Sequence, residues 1–182
     1  MPSLRLVLVA LGALAVGLGA AAAAVELVGG DDGRPRTSET MSAEPVSGPP
    51  VRLAGTDVAS GEPIGLAALA GKPVVVTVWA SWCAACSKQA NAVRRFVAKH
   101  AETAFLAVDT QEDEAAASAF LDEHELAVPT IADLDGRLAA KLGVRELPTT
   151  LFLTGDHRVA SMWEGPATFG QLRTGLEAAK AD

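Results

Sequence analysis

The sequence predicts an α/β protein: a central mixed sheet flanked by helices, with a β-hairpin extension at the N-terminal side of the folded part. Three observations carry this. An apolar, β-branched run at 73–78 gives way to a segment of helical composition at 83–100. A second apolar run at 104–108 is followed by another helical segment at 112–125. Later, two strand-like runs at 147–153 and 158–163 are separated by the turn Gly155-Asp156-His157 and lead into a closing helix at 168–180. Strands alternating with helices imply parallel pairing in the first half of the sheet, and the late hairpin implies an antiparallel edge.

Taken in order, the chain begins with a short basic stretch ending at Arg5, and residues 6–25 then carry no charge. Twenty apolar residues match the hydrocarbon thickness of a bilayer. Arg5 lies before the run and Glu26, Asp31 and Asp32 after it, so the positive-inside preference leaves the N-terminus in the cytoplasm and everything later outside. Residues 1–28 are therefore expected to form a single-pass signal-anchor in the cell membrane. The alternative is a cleaved signal peptide and a secreted protein, because Ala20 to Ala24 offer small-x-small cleavage sites. Residues 29–50 are rich in Gly, Pro, Ser, Thr and acidic side chains and hold no aromatic one, a composition that cannot bury enough to order itself. As a flexible linker this stretch would reach roughly 25 Å. Residues 51–182 are expected to be the folded domain.

Within that domain Val51 to Gly55 and the turn-rich Ser60-Gly61-Glu62-Pro63 read as a hairpin, with a brief helical piece at 66–69. Gly71-Lys72-Pro73 opens the central strand. Phe120 and Leu121 mark the inward face of the helix at 112–125, Pro129 to Ala132 form an extended piece, and 136–142 a short helix. The chain has 182 residues, 49% of them apolar, enough for one ordinary core and one globular unit. Beyond Val25, 14 basic residues face 22 acidic ones, a formal charge of −8, so nucleic acid is not an expected partner.

Cys83 and Cys86 are the only cysteines, and both sit where the central strand meets the first helix. If the helix begins near Cys83, the sulfurs lie one turn apart on one face. Cys83 then stands where unpaired backbone N–H groups and the positive end of the helix dipole favour a thiolate. A disulfide at this spacing is geometrically allowed but closes too short a loop to stabilise the fold by much. The pair reads as reactive before it reads as structural.

The stretch Trp79-Ala80-Ser81-Trp82-Cys83-x-x-Cys86 after a hydrophobic strand, with Leu147-Pro148-Thr149-Thr150 some sixty residues later, resembles the thioredoxin superfamily. It is most similar to the membrane-tethered, extracytoplasmic branch typified by the cytochrome c maturation thioredoxins and related exported disulfide oxidoreductases. The resemblance covers the chain from about Val51 onward. It implies a thioredoxin-like fold and a thiol–disulfide oxidoreductase that needs no cofactor, with Cys83 as the exposed attacking thiol and Cys86 as the partly buried resolving thiol. It also implies that Pro148 takes the place of the family's cis-proline and that Leu147 presents backbone groups to an extended substrate segment. The implied partners are protein thiols or disulfides and a membrane redox partner, for a protein expected to be monomeric.

Two departures from the branch stand out. Ala85 occupies a position commonly held by Pro, and Gln89 and Asn91 stand where cytochrome c maturation members often carry Glu and Pro. Gln cannot accept a proton at neutral pH, which favours a general exported oxidoreductase over a dedicated reductant for apocytochrome c. The alternative from a different class is a non-enzymatic domain, copper-chaperone-like or an interaction module, that uses the Cys pair as ligands. Zinc is disfavoured, since one Cys pair with scattered His100, His124 and His157 falls short of a usual four-ligand set. All three His read as solvated. Asp109, Asp133 and Asp135 read as turn or helix-cap residues rather than proton carriers. Trp79 and Trp163 read as core, Trp82 as a candidate lining of the substrate surface, and Lys88, Arg94, Arg95 and Lys99 as a solvated helix face.

Overall fold

The computed structural model describes residues 41–42 and 48–181. The expected anchor at 1–28 lies outside the described residues, and among those described no helix is long and apolar enough to cross a membrane. In chain order the elements are β1 (Met41–Ser42), β2 (Ala54–Thr56), β3 (Pro63–Gly65), a 3-10 turn (Leu66–Leu69), β4 (Val74–Trp79), α1 (Ala84–Lys99), β5 (Ala104–Thr110), α2 (Glu114–Glu123), β6 (Thr130–Asp133), α3 (Arg137–Lys141), β7 (Thr149–Leu153), β8 (Val159–Glu164) and α4 (Phe169–Ala181). Six strands form one sheet in the order β1-β8-β7-β4-β5-β6. Strands β4, β5 and β6 are parallel, while β7, β8 and β1 add antiparallel pairs. The mixed sheet expected from the sequence is present.

Strand β4 explains the arrangement. All six of its residues are buried, and it pairs with β5 on one side and β7 on the other, the environment that a continuous Val-rich run requires. Its side chains alternate between two cores. Val75 and Trp79 face α1, α2 and α4, packing with Val93, Phe96, Phe120, Leu172 and Leu176. Val74, Val76 and Val78 face the opposite side, with Leu53, Leu66, Ile131 and Ala139. Close approach between layers is secured by two glycines. A Cβ on Gly175 would lie 2.3 Å from the Phe152 ring, and one on Gly55 would lie 2.4 Å from Ile131; neither position has room for a side chain.

The hairpin of β2 and β3 is separate from the main sheet and docks through Asp57, which bridges to Ile131 at the β6 edge. Asp57 accepts hydrogen bonds from Thr130 N at 2.8 Å and from Ser60 N and Oγ at 3.1 and 2.7 Å. The structure departs from the sequence expectation in three places. Met41 and Ser42, within the stretch expected to be a linker, pair with Trp163 and Met162 of β8. Strand β7 begins at Thr149 rather than at 147, after Pro148, a residue that lacks a donor for the ladder. His157 is buried instead of solvated: it adopts a positive φ of 63° in its turn, and its Nε2 lies 3.2 Å from the Leu69 carbonyl.

Candidate active site

The chain leaves β4 at Trp79, makes a short turn and enters α1 at Ala84, so the end of the central strand delivers both cysteines to a helix N-terminus. Cys83 is the N-cap, with extended backbone dihedrals, and its Sγ accepts a hydrogen bond from Cys86 N at 3.1 Å. A backbone donor and the helix dipole thus converge on the Cys83 sulfur, which favours negative charge there. The two residues are joined as a disulfide with their Cα atoms 5.2 Å apart. In this oxidised form Cys83 is 7% exposed and Cys86 3%. Cys83 is therefore more covered than the exposed thiol that the resemblance implied.

Cys83 borders an open groove of about 520 Å³ whose walls include Trp82, Gln111, Arg145, Glu146 and Leu147. Trp82 is 59% exposed, a large apolar surface beside the disulfide. Across the groove the Leu147–Pro148 peptide is cis. The Pro148 carbonyl is tied to Gly165 N at 2.8 Å, whereas among the described residues the backbone N–H and C=O of Leu147 meet no partner. The structure therefore brings Cys83, Trp82 and Leu147 to one groove and places Pro148, itself buried, behind it.

On the other side of the disulfide Cys86 faces inward, against a cavity of about 20 Å³ lined by Thr77, Trp79 and Gln89 among others. Gln89 is buried and spends both ends of its amide on the scaffold: Oε1 accepts from Ala167 N at 2.7 Å and Nε2 donates to Thr77 Oγ1 at 3.0 Å. Its role here is to tie α1 to β4 and to the segment before α4. Ala85 is partly buried and Asn91 exposed. Trp79 stacks on Phe120 with ring centroids 4.4 Å apart, and Trp163 is buried. Lys88, Arg94, Arg95 and Lys99 lie exposed on α1, with Arg94 3.0 Å from Glu125.

The acidic residues divide in a way the sequence reading missed. Asp133 caps α3, accepting from Leu138 N and Ala139 N at 2.9 Å each and from Thr110 Oγ1 at 3.1 Å, and Asp135 accepts from Arg137 N at 3.2 Å. Asp109 has no such role: it is fully buried on β5, beside Trp79 in register, and among the described residues neither carboxyl oxygen has a hydrogen-bond partner. Burial, then the adjacent Glu112, push its carboxyl up to about 9. A charged residue at the end of an otherwise apolar strand, three positions before a Glu, was the signal available. No group of three or more His, Cys, Asp or Glu side chains suited to a metal ion occurs among the described residues.

A thioredoxin-like sheet with a Cys-x-x-Cys disulfide at the helix that follows its central strand defines a thiol–disulfide oxidoreductase. The model of the Redoxin family matches residues 47–174, and the chain belongs to that family. The thiol-disulfide oxidoreductase ResA of Bacillus thuringiensis is 29% identical over 119 residues, covering 64% of this chain and 69% of that protein. Among solved structures, a DsbF homologue from Corynebacterium diphtheriae aligns with a TM-score of 0.68 at 23% identity, over 78% of this chain and 92% of its own. A secreted Mycobacterium tuberculosis disulfide oxidoreductase homologous to E. coli DsbE aligns with a TM-score of 0.61 at 26% identity, over 70% and 94%. The chain is thus a thiol–disulfide oxidoreductase.

Proposed function

We propose that this protein exchanges disulfides with exported proteins, with Cys83 as the attacking thiol and Cys86 as the resolving one. The observation that carries the assignment is the Cys83 sulfur at the N-cap of α1, bonded by Cys86 N and bordering the groove that Trp82 and Leu147 line. In the reducing direction the Cys83 thiolate attacks a substrate disulfide, one substrate sulfur leaves as a thiolate and takes up a proton, and a mixed disulfide forms. Cys86, losing its proton, then displaces the second substrate sulfur from Cys83 and closes the internal disulfide. The oxidising direction is the same sequence reversed.

Leu147, with unpaired backbone groups, and Pro148 hold the substrate cysteine as an extended segment in the groove, while Trp82 covers its apolar side chains. Gln89 supplies no carboxylate beside Cys86, so we assign general thiol exchange on exported proteins rather than a reaction dedicated to apocytochrome c. Residues 1–28 anchor the domain outside the cytoplasm, and a membrane protein exchanges electrons with the pair. The test is trapping. Cys86→Ser expressed with its N-terminal segment accumulates mixed disulfides with exported proteins, released by reductant, and Cys83→Ser/Cys86→Ser accumulates none. Equal trapping by Cys83→Ser alone would assign the attacking role to Cys86 instead.

A further inference from the structure

The turn that presents Cys83 is held from below by acidic side chains that the exchange chemistry does not use. Glu112, in the loop between β5 and α2, accepts from Ser81 N at 2.6 Å through Oε1 and from Ser81 Oγ through Oε2. Ser81 lies two residues before Cys83, between the end of β4 and the N-cap. Asp109 lies next to this clamp, on β5 opposite Trp79, with no exposed surface and no donor to either oxygen. The charged groups that act most strongly on it, Glu112, then Asp133 at the end of β6 and Asp113 at the start of α2, are all acidic.

A buried carboxylate with only acidic neighbours is unstable, and two adjacent carboxyls relieve this when one keeps its proton and donates it to the other. Asp133 accepts from Thr110, Leu138 and Ala139, and Asp113 caps α2 through Ala116 N. Among these neighbours Glu112 acts most strongly on Asp109 and keeps acceptor capacity, because a carboxylate has about four lone-pair sites and Ser81 uses two.

Resting on the assignment of Cys83 as the attacking thiol, we propose that Asp109 and Glu112 form a carboxylic acid–carboxylate pair that positions the Ser81–Cys83 turn. Asp109 is the donor, Glu112 the acceptor, and Ser81 the point of attachment. Both are positioning residues that act through Ser81. While Asp109 keeps its proton the clamp is closed. When it ionises, two adjacent carboxylates repel, Glu112 is driven from Ser81, and the turn that carries Cys83 loosens. The carboxyl of Asp109, raised to about 9 by burial and by Glu112, places this release on the alkaline side.

The test is the rate at which the reduced full-length protein attacks glutathione disulfide, followed from pH 6 to 10.5. Wild type shows a fall of about tenfold with a midpoint near the Asp109 value, superimposed on the thiol titration. Asp109→Asn, which donates to Glu112 at every pH, lacks that fall. Asp109→Ala and Glu112→Ala are already slow at pH 7 by about tenfold, and circular dichroism on the same samples establishes that they are folded. A merely structural role would lower the melting temperature without altering the rate of folded protein or the shape of the profile. Profiles of folded Asp109→Asn, Asp109→Ala and Glu112→Ala that overlay wild type across the range would overturn the proposal. A wild type that does not react with glutathione disulfide at any pH would instead overturn the assignment of Cys83. Infrared difference spectroscopy at pH 7 separates the two cases, since the protonated-carboxyl band lost in Asp109→Asn reports the acid whether or not Cys83 reacts.

Discussion

Asp57 and Asp109 reach neighbouring residues of the same strand from opposite edges, Asp57 bridging to Ile131 and Asp109 pairing with Ala132. Both are buried. Asp57 accepts three hydrogen bonds, from Thr130 N and from Ser60 N and Oγ, and Asp109 accepts none. Burial pushes the Asp57 carboxyl up, but the Thr130 and Ser60 donors outweigh it and leave the group below its ordinary value. At Asp109 burial and Glu112 act in the same direction. A buried carboxyl is thus a structural latch or a proton-holding group according to the donors that surround it. The one near the cysteine turn is the one without donors.

The comparison has consequences for stability, and they differ in sign. The largest effect is expected at Asp133, which accepts from two backbone N–H groups of α3 and from Thr110. Asp133→Ala orphans the buried N–H groups at the start of α3 and is expected to cost about 2–4 kcal/mol in urea unfolding. Asp57→Ala frees the β2–β3 hairpin from β6 and is expected to cost about 1–3 kcal/mol. Its contribution also depends on pH: the lowered folded-state value means that stability is present above the unfolded value of about 3.8 and is lost as pH falls below it. Wild type therefore loses more stability than Asp57→Asn between pH 5 and 2.

Asp109 behaves oppositely. Its folded-state value is raised, so its contribution is fully present below the unfolded value of 3.8 and is lost as pH rises toward about 9. Asp109→Asn is therefore expected to melt near wild type at pH 4 and above it at pH 8, by roughly 2–4 °C for each kcal/mol relieved. The smallest effect belongs to the exposed Arg94–Glu125 pair. Arg94→Ala should change stability by no more than about 0.5 kcal/mol, and less in high salt.

Much of this arrangement was legible in the sequence because it rests on local signals. The Val-rich run of β4, the helical composition of α1 and the cysteine pair at their junction located the central strand, the helix and the disulfide. The segment beginning at Leu147 was placed near the site by its likeness to a family motif rather than by periodicity. What escaped depends on contacts between distant segments. A two-residue strand such as Met41–Ser42 has no periodicity to read and exists only because β8 offers an edge. His157, read as solvated in a turn, is buried because the Leu69 carbonyl and the neighbouring loop close over it. Asp109 looked like a cap at a strand end; its burial requires α2 to fold Phe120 onto Trp79 and Glu112 to reach across to Ser81. Gln89, read only as a missing acid, proved to be the polar tie between α1, β4 and the segment before α4.

The most direct test of Cys83 and Cys86 as a redox-active pair is their equilibrium titration in glutathione redox buffers, read by mass after thiol alkylation. One reversible two-electron transition is expected between the disulfide and the doubly alkylated dithiol, abolished by Cys83→Ser, with no metal released on oxidation. A pair that stays in one redox state across the whole range of glutathione ratios, or that is alkylated only after a bound metal is removed, would contradict it.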